Sequence, residues 1–130
     1  MWPFSANQEL GPRGERLARR FLRRGGMKVL AANYRCPAGE VDLIVLDLST
    51  KAARGAETVC FVEVKTRSSD HFTDPASAVD AAKRRRLRKA ARHYLSRRDC
   101  SGYATRFDIV SIVIRPGEKP RIRHLPGAFV

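Results

Sequence analysis

Glu40-Val41-Asp42-Leu43-Ile44-Val45-Leu46 and Val59-Cys60-Phe61-Val62-Glu63-Val64-Lys65 are the two stretches that decide how this chain folds. Both are dominated by Val, Leu, Ile and Phe and read as strands, over Glu40 to Leu48 and Thr58 to Thr66. The polar segment between them, Ser49 to Glu57, reads as a hairpin loop. Strand alternation puts Glu40 and Asp42 on one face with Ile44 and Leu46, and Glu63 and Lys65 on one face with Val59 and Phe61. Hairpin pairing then brings Asp42 within one cross-strand step of Glu63. Two carboxylates that close repel and raise each other's pKa unless a cation sits between them. An oxygen-lined pocket of this kind suits Mg²⁺ or Mn²⁺. A plainer alternative stands beside it: Glu63 and Lys65 form a weak ion pair at an exposed strand end, and Asp42 blunts a sheet edge.

Outward from these strands, Gln8 to Arg24 is helical, with Leu10, Gly14, Leu17, Ala18, Phe21 and Leu22 on one face, and Gly25-Gly26 stops it. Lys28 to Tyr34 reads as a strand. Asp74-Pro75 looks like the cap and first residue of a second helix running to about Arg98. Arg106 to Ile114 is a strand, and a Pro- and Gly-containing turn leads to a short last one, Arg121 to Leu125. The order αβββαββ implies an α/β fold, a mixed central sheet flanked by helices.

The chain has 130 residues, 43% of them apolar, which fits one domain over 1–130 with a flexible segment at 1–7. Neither a secretory h-region nor an apolar run of membrane-spanning length is visible, so a cytoplasmic location and no membrane partner are expected. Cys36, Cys60 and Cys100 match no zinc or disulfide spacing and are expected as reduced, mostly buried thiols. The 26 Lys and Arg against 13 Asp and Glu give a net charge of +13, an excess that points to nucleic acid.

In the second helix Lys83 falls in the middle of the apolar arc made by Ala76, Val79, Leu87, Ala90 and Tyr94. It must snorkel to solvent or find an anion. Glu15 lies at the border of the first helix's apolar face, of interest only as the third carboxylate of a set. Arg84, Arg85, Arg88 and Lys89 on the second helix, and Arg16 and Arg20 on the first, belong to cationic runs with few acids to pair with. Such runs suit phosphate-backbone contact, which positions without reading sequence. The histidines, His71 in a loop and His93 and His124 without partner spacing, are weaker candidates, and Tyr34 reads as a packing or surface group.

Gly14-Glu15-Arg16-Leu17-Ala18, Gly39-Glu40-Val41-Asp42-Leu43-Ile44, Phe61-Val62-Glu63-Val64-Lys65-Thr66-Arg67, Lys83, Arg106-Phe107-Asp108-Ile109-Val110 and Ala128-Phe129 together resemble the YraN family. This uncharacterised bacterial family is similar to restriction endonucleases in fold and, distantly, to archaeal Holliday-junction resolvases. The resemblance covers about Leu10 to Phe129 and implies a PD-(D/E)xK site, although Val41 rather than Pro precedes Asp42. It implies Asp42 and Glu63 as metal-binding carboxylates, Lys65 as the catalytic lysine, Glu15 as an auxiliary acid and Lys83 as the helix-borne residue facing the site. The Val64 carbonyl could complete a site for Mg²⁺ or Mn²⁺, and Arg67 would join the nucleic-acid contacts. The expected function is a metal-dependent endonuclease hydrolysing DNA phosphodiesters, with branched or junction DNA the substrate by analogy and DNA preferred to RNA. The alternative is a non-catalytic nucleic-acid-binding module that retains the nuclease fold. Resolvase-like relatives suggest a homodimer, although no heptad marks an interface.

Overall fold

The structure, a computed structural model, describes residues 3–50, 57–68, 79–100 and 102–130. Its elements are α1 (Pro3–Arg24), β1 (Met27–Cys36), β2 (Gly39–Asp47), β3 (Thr58–Arg67), α2 (Ala81–Ser96), β4 (Ala104–Val113) and β5 (Arg121–Phe129), with a short 3-10 turn at Leu48–Thr50. The strands form one five-stranded sheet in the order β1-β2-β3-β4-β5. Strands β3 and β4 run parallel and the other neighbours antiparallel. Parallel neighbours need a long crossover, and α2 lies in it. This mixed α/β sheet with two helices, in the order the sequence implies, is compatible with a restriction-endonuclease-like fold. No helix among the described residues is long and apolar enough to cross a membrane.

Each helix covers one face of the sheet. Ile44, Phe61 and Ile109 pack with Leu87, Ala90 and Tyr94 of α2, whereas Leu43, Val45, Cys60 and Val62 pack with Ala18 and Leu22 of α1. Strand β3 is therefore buried on both sides, which explains its nearly unbroken apolar run. Along α1 the buried stripe follows Gly14, Ala18 and Leu22 at spacing four, leaving Phe21 at its border and 37% exposed rather than inside. Helix α1 also reaches back to Pro3, through most of the segment expected to be flexible.

Two other boundaries differ from expectation. Asp80, in extended backbone, caps α2 by accepting a hydrogen bond from the Lys83 N–H at 2.9 Å; Asp74 and Pro75 lie outside the described residues. Strand β5 continues past Leu125 to Phe129 despite Pro126, which an edge strand tolerates; its pairing with β4 shifts register between Phe107 and Ile109.

A buried acid in the middle of β4 ties the Asp47 end of the sheet together. Asp108 accepts hydrogen bonds from Arg106 Nε at 2.8 Å, His124 Nε2 at 2.8 Å and the Gly127 N–H at 3.0 Å, and Arg106 also reaches Asp47 at 3.1 Å. Burial works against its charge, but the bonds from His124, Arg106 and Gly127 hold its pKa down to about 2. Beside it the buried Cys60 thiol is pushed up to about 12, chiefly by burial, which makes it inert; Cys36 and Cys100 are free and half-buried.

The sheet forks at the opposite end. Pairing of β2 with β3 runs from Asp47↔Thr58 only as far as Leu43↔Val62. Beyond that point β2 stays paired with β1 down to Cys36↔Gly39, and β3 stays paired with β4 up to Arg67↔Val113. The middle of α1 closes one side of the fork through Gly14, where an added Cβ would lie 1.9 Å from Thr66 Oγ1 on β3. Thr66 is β-branched and cannot swing clear. Gly14→Ala should therefore lower stability by about 1–3 kcal/mol. Adding Thr66→Ala should recover part of that loss, both read from thermal denaturation.

Candidate active site

Where the ladder ends, a side chain replaces it. Asp42 Oδ2 accepts the Val64 N–H at 2.8 Å, satisfying a backbone donor that no longer has a β2 partner. Alternation also breaks here. Val41 packs with the α2 cluster beside Ile44, while Leu43 packs with the α1 cluster. Asp42 therefore does not keep to the face of Ile44 and Leu46, as simple alternation predicts, but turns into the fork. Glu40 stays exposed at the rim, paired with Arg35 Nε at 3.4 Å across the β1–β2 turn.

Glu63, buried on β3, is the centre of the cluster. Its Oε1 lies 2.8 Å from Lys83 Nζ and 3.8 Å from Lys65 Nζ. Lys83 thus finds an anion instead of snorkelling: α2 packs on β2, and from there the lysine reaches Glu63 on the neighbouring β3. Burial, followed by the Glu63 charge, pushes the Asp42 carboxyl up to about 7, against the Val64 N–H and the Lys83 cation. Burial, then the hydrogen bond and charge of Lys83, lower the pKa of Lys65. Burial also opposes the Lys83 charge, but its hydrogen bonds to Glu63 and Lys65 and the nearby carboxylates raise its pKa overall. The two lysines are thereby differentiated: Lys83 is held as the cation that fixes Glu63, and Lys65 is the ammonium that loses its proton more easily.

Two cavities flank the carboxylates. One, of about 580 Å³, lies toward α2 and is lined by Cys36, Glu63, Lys83, Arg86 and Leu87; the other, of about 630 Å³, lies toward α1 and is lined by Glu15, Asn33, Val64, Lys65 and Thr66. Arg35, Glu40 and Asp42 line both. Glu15 is therefore on the cleft wall but not in the carboxylate cluster; both its oxygens accept from Asn33 Nδ2, at 3.0 and 3.1 Å. Val64 meets Asp42 through its N–H, not its carbonyl. Among the described residues no group of three or more His, Cys, Asp or Glu converges on a common point. The Asp42–Glu63 pair nonetheless fits a hard divalent cation. Its donors are oxygens, both carboxylates border an open cavity that water can enter, and Mg²⁺ is commonly held by one or two carboxylates with water completing the shell.

Of the cations expected to meet nucleic acid, Arg16, Arg20, Arg85 and Lys89 are exposed and Arg67 is half-buried beside the fork. Arg84 is turned inward, its Nε donating to the Val79 oxygen at 2.9 Å and its guanidinium over the Phe129 ring. Arg88 is half-buried and donates to the Val130 oxygen at 2.9 Å. A chain-terminal strand packing back onto α2 was not readable from helix periodicity. Sequence reasoning also missed Asn33, Arg35 and Arg86 on the cleft walls, and missed partners for two histidines. His124 meets Asp108, and His93 meets Tyr34 and Arg97, so Tyr34 is more than packing. His71 lies outside the described residues.

Residues 14–112 match the model of a family described as "Uncharacterised protein family UPF0102". Similar proteins bear the same description. One from Nocardia farcinica is 47% identical over 94% of this chain and 90% of its own length. Another, from Solibacter usitatus, is 51% identical over 89% and 82%, and a third, from Geobacter metallireducens, is 41% identical over 95% and 93%.

The raised Asp42 pKa has a stability consequence. Between the ordinary carboxylate range and about 7 the folded chain keeps a proton that the unfolded chain has released, so stability falls as pH rises through that window. Asp42→Asn, which can still accept the Val64 N–H, should melt higher than wild type at pH 8 without divalent metal. The gap should close toward pH 4 in thermal melts.

Proposed function

The chain belongs to the uncharacterised protein family UPF0102, the YraN family, and from that premise and the geometry of its cleft we propose that it is a metal-dependent endonuclease of the PD-(D/E)xK type that hydrolyses DNA phosphodiesters. The observation that carries this reading is the convergence of Asp42, Glu63, Lys65 and Lys83 at a fork in the sheet, between two open cavities. Asp42 of β2, Glu63 and Lys65 of β3 and Lys83 of α2 come together from three elements, and clustering that many charges costs desolvation that apolar side chains would avoid.

Phosphodiester hydrolysis needs a water in line with the leaving oxygen and positive charge around an anionic phosphorus. Asp42 and Glu63 would hold Mg²⁺ or Mn²⁺, which supplies Lewis acidity toward a phosphoryl oxygen and acidifies water. Lys65, with its lowered pKa, is placed to orient the attacking water and take up its proton. Lys83 fixes the direction of Glu63. Arg35, on the wall of both cavities, and Arg86, on one, are positioned for the phosphates on either side of the bond that breaks. The exposed arginines and lysines of α1 and α2 supply backbone contacts that would hold DNA, branched or linear, across the fork.

Linear, flapped and four-way DNA incubated with the protein and Mg²⁺ or Mn²⁺ tests the reading, with RNA as competitor. Wild type should cut, and Glu63→Gln or Lys65→Ala should slow cleavage by about 10²-fold or more while the fold persists in thermal melts. A wild type that binds these substrates but leaves all of them intact with both metals would instead be a nucleic-acid-binding module on the nuclease fold. Binding has its own signature. The Arg85→Ala and Lys89→Ala changes should each reduce the slope of log affinity against log salt by about 1 without altering sequence preference. Unchanged slopes would place the DNA elsewhere on the surface.

A further inference from the structure

Asn33 is the one non-glycine residue among those described with a left-handed backbone, at φ 51°. That conformation is costly outside glycine, and Asn bears it best. In β1 it falls between the pairs Ala32↔Leu43 and Tyr34↔Val41, level with Asp42 on β2. The break in alternation seen on β2 is mirrored here: Ala31 and Tyr34, three residues apart, both pack toward α2, as do their partners Ile44 and Val41. The hairpin thus takes an extra turn at the Asn33–Asp42 level, and that turn moves Asp42 out of the pleat and into the fork.

The side chain of Asn33 acts on the opposite wall. Its Nδ2 donates to both oxygens of Glu15. Glu15 is held from a second direction as well, by the contact of Gly14 with Thr66. An exposed hydrogen bond contributes little to stability, too little to offset a left-handed backbone. The arrangement makes physical sense if what it secures is the position of the two acids rather than the fold.

We infer that Asn33 is the positioning residue of the cleft: its backbone aims Asp42 into the fork, and its amide fixes Glu15 across the cavity from Asp42 and Lys65. In this arrangement Glu15 lines the cavity, where its carboxylate can accept hydrogen bonds from water beside the scissile phosphate. The inference rests on the endonuclease reading for the reaction it serves.

Two substitutions separate the backbone from the amide. Asn33→Gly keeps the left-handed turn and removes only the amide. It should melt at or above wild type, leave KM unchanged and lower kcat for DNA cleavage by about 10- to 100-fold, to the level of Glu15→Gln. The Asn33→Gly/Glu15→Gln double variant should be no slower than either single change. Asn33→Ala cannot hold the turn without strain, so it should also weaken Mn²⁺ binding in calorimetry without DNA, whereas Asn33→Gly should bind Mn²⁺ as wild type does. Wild-type cleavage by Asn33→Gly, or losses that multiply in the double variant, would overturn the role toward Glu15. Equal Mn²⁺ affinity in wild type, Asn33→Gly and Asn33→Ala would overturn the role toward Asp42. A wild type that neither binds Mn²⁺ nor cuts removes the endonuclease reading and this inference with it.

Discussion

One hydrogen bond organises this molecule's functional end: the Val64 N–H given to the carboxylate of Asp42 instead of to a backbone carbonyl. A central sheet cannot split without leaving polar backbone groups unpaired, and each buried unpaired group costs on the order of 1–3 kcal/mol. Asp42 removes that cost at the point where it is greatest. It does so with a group that is itself chemically useful, since its other lone pairs point toward Glu63 and the cleft. On either side of the fork the strands stay paired, β1 with β2 and β3 with β4 and β5, and a helix covers each face of the sheet. The cleft is the gap between two well-paired pieces and needs no loop of its own.

The electrostatics follow from the same split. Asp42 is buried by the fork's walls and faces Glu63, which raises its pKa. Glu63 is compensated by Lys83 from the helix covering that face, and the presence of Lys83 in turn makes Lys65 the weaker ammonium. Remove α2, and Glu63 loses its partner while Lys65 loses the neighbour that lowers its pKa. Helix α2 is therefore part of the site as much as part of the core, and its amphipathic stripe serves both with the same few residues, Lys83 in line with Leu87, Ala90 and Tyr94.

That double service is why much of the site could be read from the chain. A lysine inside an apolar stripe, and acids inside two apolar strands, are exceptions to a periodic rule, and periodicity makes exceptions visible. The element order and the pairing of Asp42 with Glu63 followed from the same patterns. What could not be read depends on departures from periodicity itself. Val41 changes face because the strand turns at Asp42, and period two assumes no such turn. Asn33 sits in a left-handed conformation that leaves no trace in hydropathy. Asp80 and Asp74 are equally good caps in composition, so composition alone does not say that Asp80 is the one that caps α2. The inward turn of Arg84 depends on the chain terminus returning to cover it, a contact between residues far apart in sequence.

The charges inside the cleft and outside it serve different ends. Two carboxylates and two ammonium groups roughly cancel at the fork, so the net charge of +13 resides on the surface, much of it on the two helices. A surface of that kind concentrates a polyanion but does nothing to the bond that must break. Once a phosphodiester enters a cleft that is already neutral, the reacting centre becomes anionic, and it becomes more so as the pentacoordinate phosphorus forms. Lys65 and Lys83 cannot offset this, because their charge is already engaged by Glu63. Arg35 and Arg86 on the cleft walls supply part of the missing positive charge, and on the proposed reading a divalent cation supplies the rest. On the same reading the two acids, kept beside each other at a cost in stability, would be relieved of their mutual repulsion by that cation.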